Sequence, residues 1–445
     1  MVASRTATTT TDSGRELSPS ERWFWIIDRI SPANCVGRVR VHGRLTTEQI
    51  ERATAAVLAE YPLLRMGVVD TGDGHPRAEP LDEPRIPLRQ FGCAEHDAWQ
   101  RQIDTEMITP IEVSAGFARL TDIAYAPGTS GEYHDLVLTI SHIIVDGRSL
   151  MTVLRKIIEY AVRDEIGRPV ADRPAIAPSD DLIPAAARGF WRYAYTTLLD
   201  QAAALVLRPR RLRGSAPVAL PDRLTRVVHR KVPAELLAVL ADDCRRAGVT
   251  VHGVLAAAVA RAIGEASGSA RGIAGIGSPV DFRGLLDPQP EPDELGNYAP
   301  VLTTFVRYGA RNSPWRAARS VNRQLARGVR QRRHLSTVAG MRFGTPRTVQ
   351  TGTRIVEMVD RRAPWNVSVT NLGRLDFPEE IDGLGLSGLT VAATNSCVSA
   401  LTVAIVTAHE EMRIAFCYVD GVLDAVQADR FADRVIAEII SRPAV

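Results

Sequence analysis

Hydrophobic positions along the chain follow two periods, and together they predict strands interleaved with helices. In the first half the helical period recurs in four segments, residues 17–30, 46–60, 98–107 and 149–161. Short apolar runs between them are typical of strands, at residues 35–41, 63–69, 118–124 and 136–144. The first helix has a start signal at Ser18 and Glu21, since a serine cap and a glutamate three residues later satisfy free backbone amides. Interleaved elements of this kind favour a layered α/β fold.

The second half repeats this style after a stretch rich in proline and arginine. Its predicted helices cover residues 233–248, 250–265, 314–332 and 424–440. Of its predicted strands, one ends near Val232, two cover residues 272–279 and 299–306, and the others lie near Val367, Val391, Val403 and Ile414. We therefore expect a disordered leader at 1–16, an N-terminal domain at 17–166, a linker at 167–221 and a C-terminal domain at 222–445.

The expected linker contains one apolar segment, residues 187–207, with Trp191, Tyr193 and Tyr195. A covered helix that bridges two domains is the common explanation for such a segment. A helix that lies on a membrane surface is the alternative.

Composition fits a soluble globular protein, with 45% hydrophobic and 24% charged residues among 445. No window approaches the roughly 18 to 20 apolar residues of a membrane helix, and no signal peptide is visible, so we expect a cytoplasmic monomer without an integral membrane segment. A net charge of only +3 gives no indication of nucleic acid as a partner. The five cysteines lack CxxC spacing, and we expect neither a metal site nor disulfides.

One predicted strand, residues 136–144, carries a histidine and then turns at once into a helical pattern. Because strand side chains alternate, Leu138, Ile140 and His142 are expected on one face. Asp146 and Gly147 supply turn chemistry, and Asp146 can cap the helix that follows. The residues alone leave two interpretations open, a satisfied core histidine or a reactive imidazole held inside the protein.

The stretch Ser141–Gly147 resembles the HHxxxDG motif of the superfamily of acyltransferases that includes condensation domains and chloramphenicol-acetyltransferase-like enzymes. Other stretches resemble signatures of that superfamily in the expected order, at residues 17–21, 61–65, 115–119, 277–283, 295–297 and 368–373. The resemblance covers about residues 17–440 and is strongest to polyketide-associated (PapA5-type) and alcohol O-acetyltransferase-type enzymes.

The resemblance implies two chloramphenicol-acetyltransferase-like domains in a V-shaped, pseudo-dimeric arrangement. It implies that His142 is the general base of a direct acyl transfer without an acyl-enzyme, a task that neutral imidazole suits at cytoplasmic pH. The donor would be a CoA or acyl-carrier-protein thioester, with an acyl-phosphopantetheine arm, and the acceptor a small-molecule alcohol. No permanently bound cofactor is expected.

Further site residues follow from the same resemblance. Asp146 and Gly147 would be structural, with Arg65 as the ion-pair partner of Asp146 and a plain helix cap as the alternative. Asn297 and Asn371 would donate to the developing oxyanion. Ser141 stands where the motif has its first histidine, and because it faces away from His142 its presence should leave the chemistry intact. Gly147 and Gly296 would allow a pantetheine arm to approach the backbone, or serve only as turns.

A basic helix in the second half is a candidate docking surface. At about 100° per residue, five arginines fall on one stripe, Arg316, Arg319, Arg323, Arg327 and Arg330. No acidic residue occurs between Leu295 and Ile355. A solvated helix face is one interpretation, and an anionic partner such as a carrier protein or the phosphates of CoA is the other.

Two rival functions remain at this stage. A freestanding condensation domain would use the same histidine to form an amide. A catalytically silent member of the superfamily would only bind a carrier protein through the arginine stripe.

Overall fold

The computed structural model describes residues 14–163, 173, 177–214, 218–394 and 396–441. Most of the expected leader lies outside this range. Its last two residues form a short strand, Arg15–Glu16, so the predicted boundary after residue 16 was too late.

The helices follow the hydrophobic pattern closely in the first half. Over the described residues they are α1 Pro19–Ile30, α2 Thr47–Glu60, α3 Ala98–Ile108, α4 Gly147–Val162, α5 Phe190–Leu207, α6 Ala234–Ala247, α7 Val251–Ala266, α8 Pro314–Arg330, α9 Arg333–Gly344, α10 Val349–Arg362 and α11 Ala425–Ile440. The predicted start of α1 is confirmed, because Ser18 and Glu21 form a reciprocal capping box. The pattern missed α9 and α10.

The described strands are β1 Arg15–Glu16, β2 Asn34–His42, β3 Met66–Val69, β4 Arg77–Pro80, β5 Leu88–Gly92, β6 Ala118–Tyr125, β7 Tyr133–Ser141, β8 Thr225–Val232, β9 Arg271–Pro279, β10 Val301–Gly309, β11 Val367–Arg374, β12 Glu380–Ile381, β13 Leu384–Ala393, β14 Leu401–Ala408 and β15 Glu411–Val419. The stretch predicted as one strand at 63–69 begins instead with a 3-10 turn, Pro62–Arg65, since proline favours the first position of a helical turn.

Two six-stranded sheets organise the molecule. The first has the order β12-β13-β2-β7-β6-β5, and the second has the order β10-β9-β11-β14-β15-β8. Helices cover these sheets, so the layered α/β class is confirmed. A small three-stranded sheet, β1-β4-β3, lies beside them.

The sheets do not separate where the sequence suggested a domain boundary. Strand β13 comes late in the chain, yet it pairs antiparallel with β2 of the first sheet, from Gly385 opposite His42 to Ala393 opposite Cys35. The strand signal near Val391 is local, but its pairing partner depends on tertiary contacts that the local pattern does not encode. The last 224 residues therefore complete the first sheet as well as forming the second.

The predicted strand around the histidine ends earlier than expected. β7 stops at Ser141, and the backbone turns so that the Ile144 amide donates to the Ser141 carbonyl. His142 thus lies in a turn beyond the strand, and the prediction that it shares a strand face with Leu138 and Ile140 is wrong. The turn lifts the imidazole out of the regular alternation of the sheet.

The apolar segment of the linker forms α5, but it is not the covered helix that we expected. One face packs on α9, where Gly340 receives the Tyr193 ring and Arg333 pairs with Asp200. The other face exposes Trp191, Leu205 and Val206.

Among the described helices no single one is long and apolar enough to cross a membrane. Helices α6 and α7 reach the required length and composition only as a pair, and they bend by 99° at their junction.

Candidate active site

The candidate site is the turn between β7 and α4. The His142 amide donates to the Ala33 carbonyl, and the Ser141 amide donates to the Phe117 carbonyl, so the turn is tied to neighbouring segments on both sides. Ser141 is fully buried, and its hydroxyl accepts from the Ile143 amide at 3.4 Å. The serine therefore shapes the turn behind the histidine.

The imidazole of His142 is fixed through one of its two nitrogens. Nδ1 lies 2.7 Å from the Val145 carbonyl oxygen, which only accepts, so Nδ1 carries the proton and Nε2 presents a lone pair. No described residue hydrogen-bonds to Nε2. The Phe24 ring of α1 packs against the imidazole with centroids 4.4 Å apart and planes tilted by 31°.

The surroundings keep this histidine neutral. Burial lowers the pKa of His142, and the hydrogen bond to Val145 and the charge of Asp146 oppose that effect only in part. The residue nevertheless keeps part of its surface in contact with solvent. A fixed, neutral and partly accessible imidazole is the form that a general base requires.

A second donor lies against the same carbonyl. The Cys35 thiol approaches the Val145 oxygen at 3.9 Å and is buried. Burial raises the pKa of Cys35, so the thiol is not poised to form a thiolate nucleophile.

Asp146 anchors the turn and does not touch the imidazole. Its carboxylate accepts from the amides of Arg148 and Ser149, which makes it the cap of α4, and also from the Tyr298 amide, each at 3.0 Å. The Arg283 guanidinium donates to it at 2.9 Å. Burial alone would raise the pKa of Asp146, but the charge and hydrogen bonds of Arg283, with the backbone amides, lower it.

The predicted partner of Asp146 was wrong. Arg283, from the Asp-Phe-Arg stretch of the second half, occupies the place that we assigned to Arg65. The Arg65 guanidinium donates instead to the Ala59 carbonyl at the end of α2. An aspartate in a turn accepts from whichever arginine the tertiary fold brings to it, and the local sequence does not specify which one.

The second half of the chain clamps the turn at several further points. The Asp146 amide donates to the Gly296 carbonyl, and the Ser149 hydroxyl donates to the same oxygen at 2.9 Å. Arg283 also lies over the Tyr298 ring, with its guanidinium carbon 4.4 Å from the ring centroid. The histidine turn is thus held at the seam between the two halves.

Asn297 has a different contact from the one expected. Its side-chain amide donates to the backbone carbonyl of His142 at 3.2 Å. The same nitrogen is 3.3 Å from Nδ1, but that atom is already committed as a donor to Val145. Asn297 therefore positions the histidine from the opposite half of the chain.

Asn371 lies on β11, next to a close contact with the motif. Its side-chain oxygen accepts from the Gly373 amide at 2.9 Å, which leaves the NH₂ group as the available donor. The neighbouring Leu372 carbonyl accepts from Arg148 at 2.8 Å. A Cβ on Gly147 would come within 3.2 Å of the Leu372 side chain, so the glycine permits close packing of the two halves.

Gly296 also serves protein packing. A Cβ there would lie 2.4 Å from the Tyr298 ring. Of the two roles expected for these glycines, the contacts within the protein favour the structural one.

The arginine stripe lies on the outer face of α8. Its five members, all exposed, are Arg316, Arg319, Arg323, Arg327 and Arg330. No described carboxylate lies within ion-pair distance of any of them. The opposite face packs inward through Trp315, Ala318 and Val321. The last turn of α8 lies beside the start of β10, where Gly328 packs against Leu302.

Several residues of the site were missed as such by sequence reasoning. They are Phe24, Cys35, the Val145 carbonyl, Ser149, Arg283 and Tyr298. Arg283 stood within a recognised stretch, and its position there was the available signal. The others are backbone or packing contacts that carry no motif.

Comparison with known proteins supports the resemblance. Residues 224–434 match the family model described as phthiocerol/phthiodiolone dimycocerosyl transferase C-terminus. No curated protein matches the chain significantly.

Solved structures with a similar fold cover nearly the whole chain. Polyketide synthase associated protein 5 from Mycobacterium tuberculosis superposes with a TM-score of 0.70 at 15% identity, covering 96% of this chain and 97% of that one. The first condensation domain of the calcium-dependent antibiotic synthetase gives 0.71 at 17%, covering 98% of both chains. The TRI3 trichothecene 15-O-acetyltransferase from Fusarium sporotrichioides gives 0.72 at 14%, covering 96% and 95%. The second half of the chain thus resembles the C-terminal part of this transferase family, and the whole chain shares its fold with these three proteins.

Proposed function

We propose that the protein transfers an acyl group from a CoA or acyl-carrier-protein thioester to a hydroxyl of a polyketide, a lipid or another secondary metabolite. The observation that carries the proposal is the state of His142. Its Nδ1 proton is bound by Val145, its pKa is lowered, and no described residue bonds to Nε2. An imidazole in this state can accept the proton of a substrate hydroxyl at Nε2.

The transfer proceeds in one displacement on the protein. Nε2 of His142 accepts the proton of the acceptor hydroxyl as its oxygen attacks the thioester carbonyl. The new C–O bond forms, the C–S bond breaks, and the imidazolium returns its proton to the departing thiolate. The Val145 carbonyl stabilises the imidazolium between the two proton transfers, because it accepts from Nδ1 throughout.

The oxyanion of the tetrahedral intermediate needs a donor, and Asn371 is our candidate. Its NH₂ group is available, and the next residue along β11 contacts the motif. Asn297 holds the histidine backbone and acts as a positioning residue. Asp146 and Arg283 act through the turn that they hold.

The donor approaches along α8. Five exposed arginines without a described carboxylate partner form a surface that complements an acidic carrier protein or the phosphates of CoA. The C-terminal end of α8 packs beside the start of β10, four residues after Asn297, so a donor bound there is near the histidine turn. This arrangement favours Arg327 and Arg330 as the innermost contacts.

A donor and acceptor panel tests the proposal. The protein would be incubated with acyl-CoA and acyl-carrier donors of several chain lengths, with alcohols and amines as acceptors, and the products identified by mass spectrometry. We expect ester products. A preference for amines would replace ester formation by amide formation, and absence of any product with every donor would leave a binding role.

The docking surface is tested by substituting Arg323, Arg327 and Arg330 with glutamine. We expect a KM for the carrier-bound donor that is about tenfold higher, little change in kcat, and a KM that rises with salt in the unaltered protein. Removal of Arg44, Arg85 and Arg89, which are exposed in the first half, is the charge-matched control and should leave KM unchanged. If both triple variants changed KM for the carrier-bound donor equally, α8 would not be the docking surface for the carrier protein.

A further inference from the structure

Helix α5 presents an apolar face that no described residue covers. Trp191, Tyr195, Leu198 and Leu205 recur at intervals that place them along one side of the helix. Trp191 exposes 82% of its surface, Leu205 76% and Val206 78%. Single exposed apolar side chains are ordinary, but a stripe along a helix of 18 residues marks an interaction surface.

The opposite face is what holds α5 in place. Thr196 is buried, the Tyr193 ring packs on Gly340, and Asp200 pairs with Arg333 of α9. Phe190 contacts Phe343 of α9 with ring centroids 5.4 Å apart, and Phe343 is itself exposed, so the apolar surface continues onto α9. The outward face therefore has no part in keeping the helix folded against the protein.

The charges around α5 have one sign. Between Arg188 and Arg213 the chain has six arginines and a single acidic residue, Asp200, which is already paired. Arg188 and Arg192 are exposed near its start, and Arg208, Arg210 and Arg213 are exposed after its end. A long apolar stripe with arginines at both ends complements a surface that is apolar inside and anionic at its boundary.

We propose that α5 docks the protein on the surface of an anionic lipid bilayer. Trp191 and Tyr195 would lie at headgroup level, Leu198 and Leu205 would enter the boundary of the acyl chains, and the flanking arginines would bind lipid phosphates. A second copy of the chain fits this face poorly, because pairing two such helices would bring the arginines of both copies together.

This docking surface connects to the histidine turn through the protein interior. Helix α9, on which α5 packs, joins an apolar cluster that includes Ile183, Phe282, Leu335 and Tyr298. Tyr298 donates its amide to Asp146. The inference goes beyond the proposed acyl transfer and does not depend on it, since binding to lipid is measured without any substrate.

Vesicle flotation tests the docking. The full chain would be mixed with vesicles of phosphatidylcholine containing about one third phosphatidylglycerol, and with vesicles of phosphatidylcholine alone. We expect flotation with the anionic vesicles that weakens as salt is raised, and at least tenfold weaker binding to the neutral ones. No flotation with either vesicle would overturn the proposal.

Two variants with matched controls separate the apolar and basic contributions. Leu198→Ser with Leu205→Ser and Val206→Ser should weaken binding to anionic vesicles at least tenfold. The control, Leu236→Ser with Val239→Ser and Val426→Ser, removes three exposed apolar side chains from α6 and α11 and should not change it. Glutamine at Arg208, Arg210 and Arg213 should weaken binding by a similar factor, and glutamine at Arg44, Arg85 and Arg89 should not. Equal binding by the α5 variants and their controls would overturn the proposal.

Fluorescence reports whether the face itself meets the lipid. Trp191 is the exposed tryptophan at that surface, so anionic vesicles should shift the emission to shorter wavelength, and Trp191→Phe should abolish the shift while flotation persists. Flotation without any shift would mean that another surface binds. If the unaltered protein self-associates without lipid and the α5 serine variant does not, the face is a contact between copies and the proposal fails.

Discussion

The chain contains two Val-Asp-Gly turns, and only one of them belongs to the candidate site. Val145-Asp146-Gly147 connects β7 to the start of α4, and Val419-Asp420-Gly421 begins at the last residue of β15 and precedes α11. Asp146 is 3% exposed, caps its helix and pairs with Arg283. Asp420 is exposed, and the cap of α11 is Asp424.

The strands before the two turns explain the difference. β7 stops at Ser141, so His142 leaves the sheet and turns its imidazole toward Val145. β15 continues to Val419, and Phe416, three residues before the valine, stays fully buried in the core. The same tripeptide thus becomes part of the candidate site only where the strand ends early and the opposite half of the chain supplies an ion-pair partner.

The largest expected difference between the turns is in stability. Arg283→Ala leaves the Asp146 carboxylate buried without a counter-charge, and we expect it to lower the free energy of unfolding by about 3–5 kcal/mol. Asp420→Ala should change it by less than about 0.5 kcal/mol, because that carboxylate is exposed. Urea denaturation measures both, and a small loss in both variants would mean that Asp146 is not held as described.

Alanine at the glycine of each turn should affect a different property, stability at Gly421 and the rate of transfer at Gly147. Gly421 has φ of +84°, so Gly421→Ala should cost about 1–2 kcal/mol of stability and leave acyl transfer unchanged. Gly147→Ala should keep most of the stability but slow transfer several-fold, since its Cβ would press on Leu372 at 3.2 Å and displace the turn. Unfolding curves and initial rates of both variants give the comparison, which fails if Gly147→Ala transfers at the normal rate.

Removal of the Asn297 side chain tests the clamp on the histidine. The lost bond to the His142 carbonyl is worth about 1 kcal/mol, so we expect Asn297→Ala to lower kcat about fivefold with little change in KM. A catalytic oxyanion donor would cost about 100-fold or more, which is the effect that we expect for Asn371→Ala. The reverse order of effects would exchange the two roles.

The smallest effect is a shift of the pH profile. Because burial lowers the pKa of His142 below 6.5, the acid limb of kcat/KM should have its midpoint below that value. The lowered pKa also makes the free energy of unfolding fall as the pH falls, because the unfolded chain binds the proton more tightly than the folded protein does. A midpoint above 6.5, measured with a fixed donor and acceptor, would contradict a desolvated imidazole.

Much of the fold could be predicted because its signals are local. The cap at Ser18 and Glu21, the periodic helices and the turn at Asp146 depend on neighbours a few residues apart. The pairing of β13 with β2 could not be predicted, because both halves contain apolar strands and the sequence of one strand does not specify which strand it pairs with. The missed helices α9 and α10 lie in a basic stretch that we did not divide into further elements.

The site was predictable only in part for the same reason. His142 and Asp146 stand in a motif of seven residues, but Arg283 and Tyr298 reach Asp146 from 137 and 152 positions away. The helical character of α5 was visible, whereas which of its faces is covered depends on α9. Apolar side chains occur on both faces of α5, so their pattern alone does not show which face has a partner.

The rate of transfer by His142→Ala is the most direct test of the central claim that this imidazole is the base. Product formation from a thioester donor and a hydroxyl acceptor would be followed by mass spectrometry, with the unfolding midpoint measured alongside. We expect the rate to fall by about 10²–10⁴ while the unfolding midpoint stays close to that of the unaltered protein. A variant that folds and transfers at the original rate would contradict the claim.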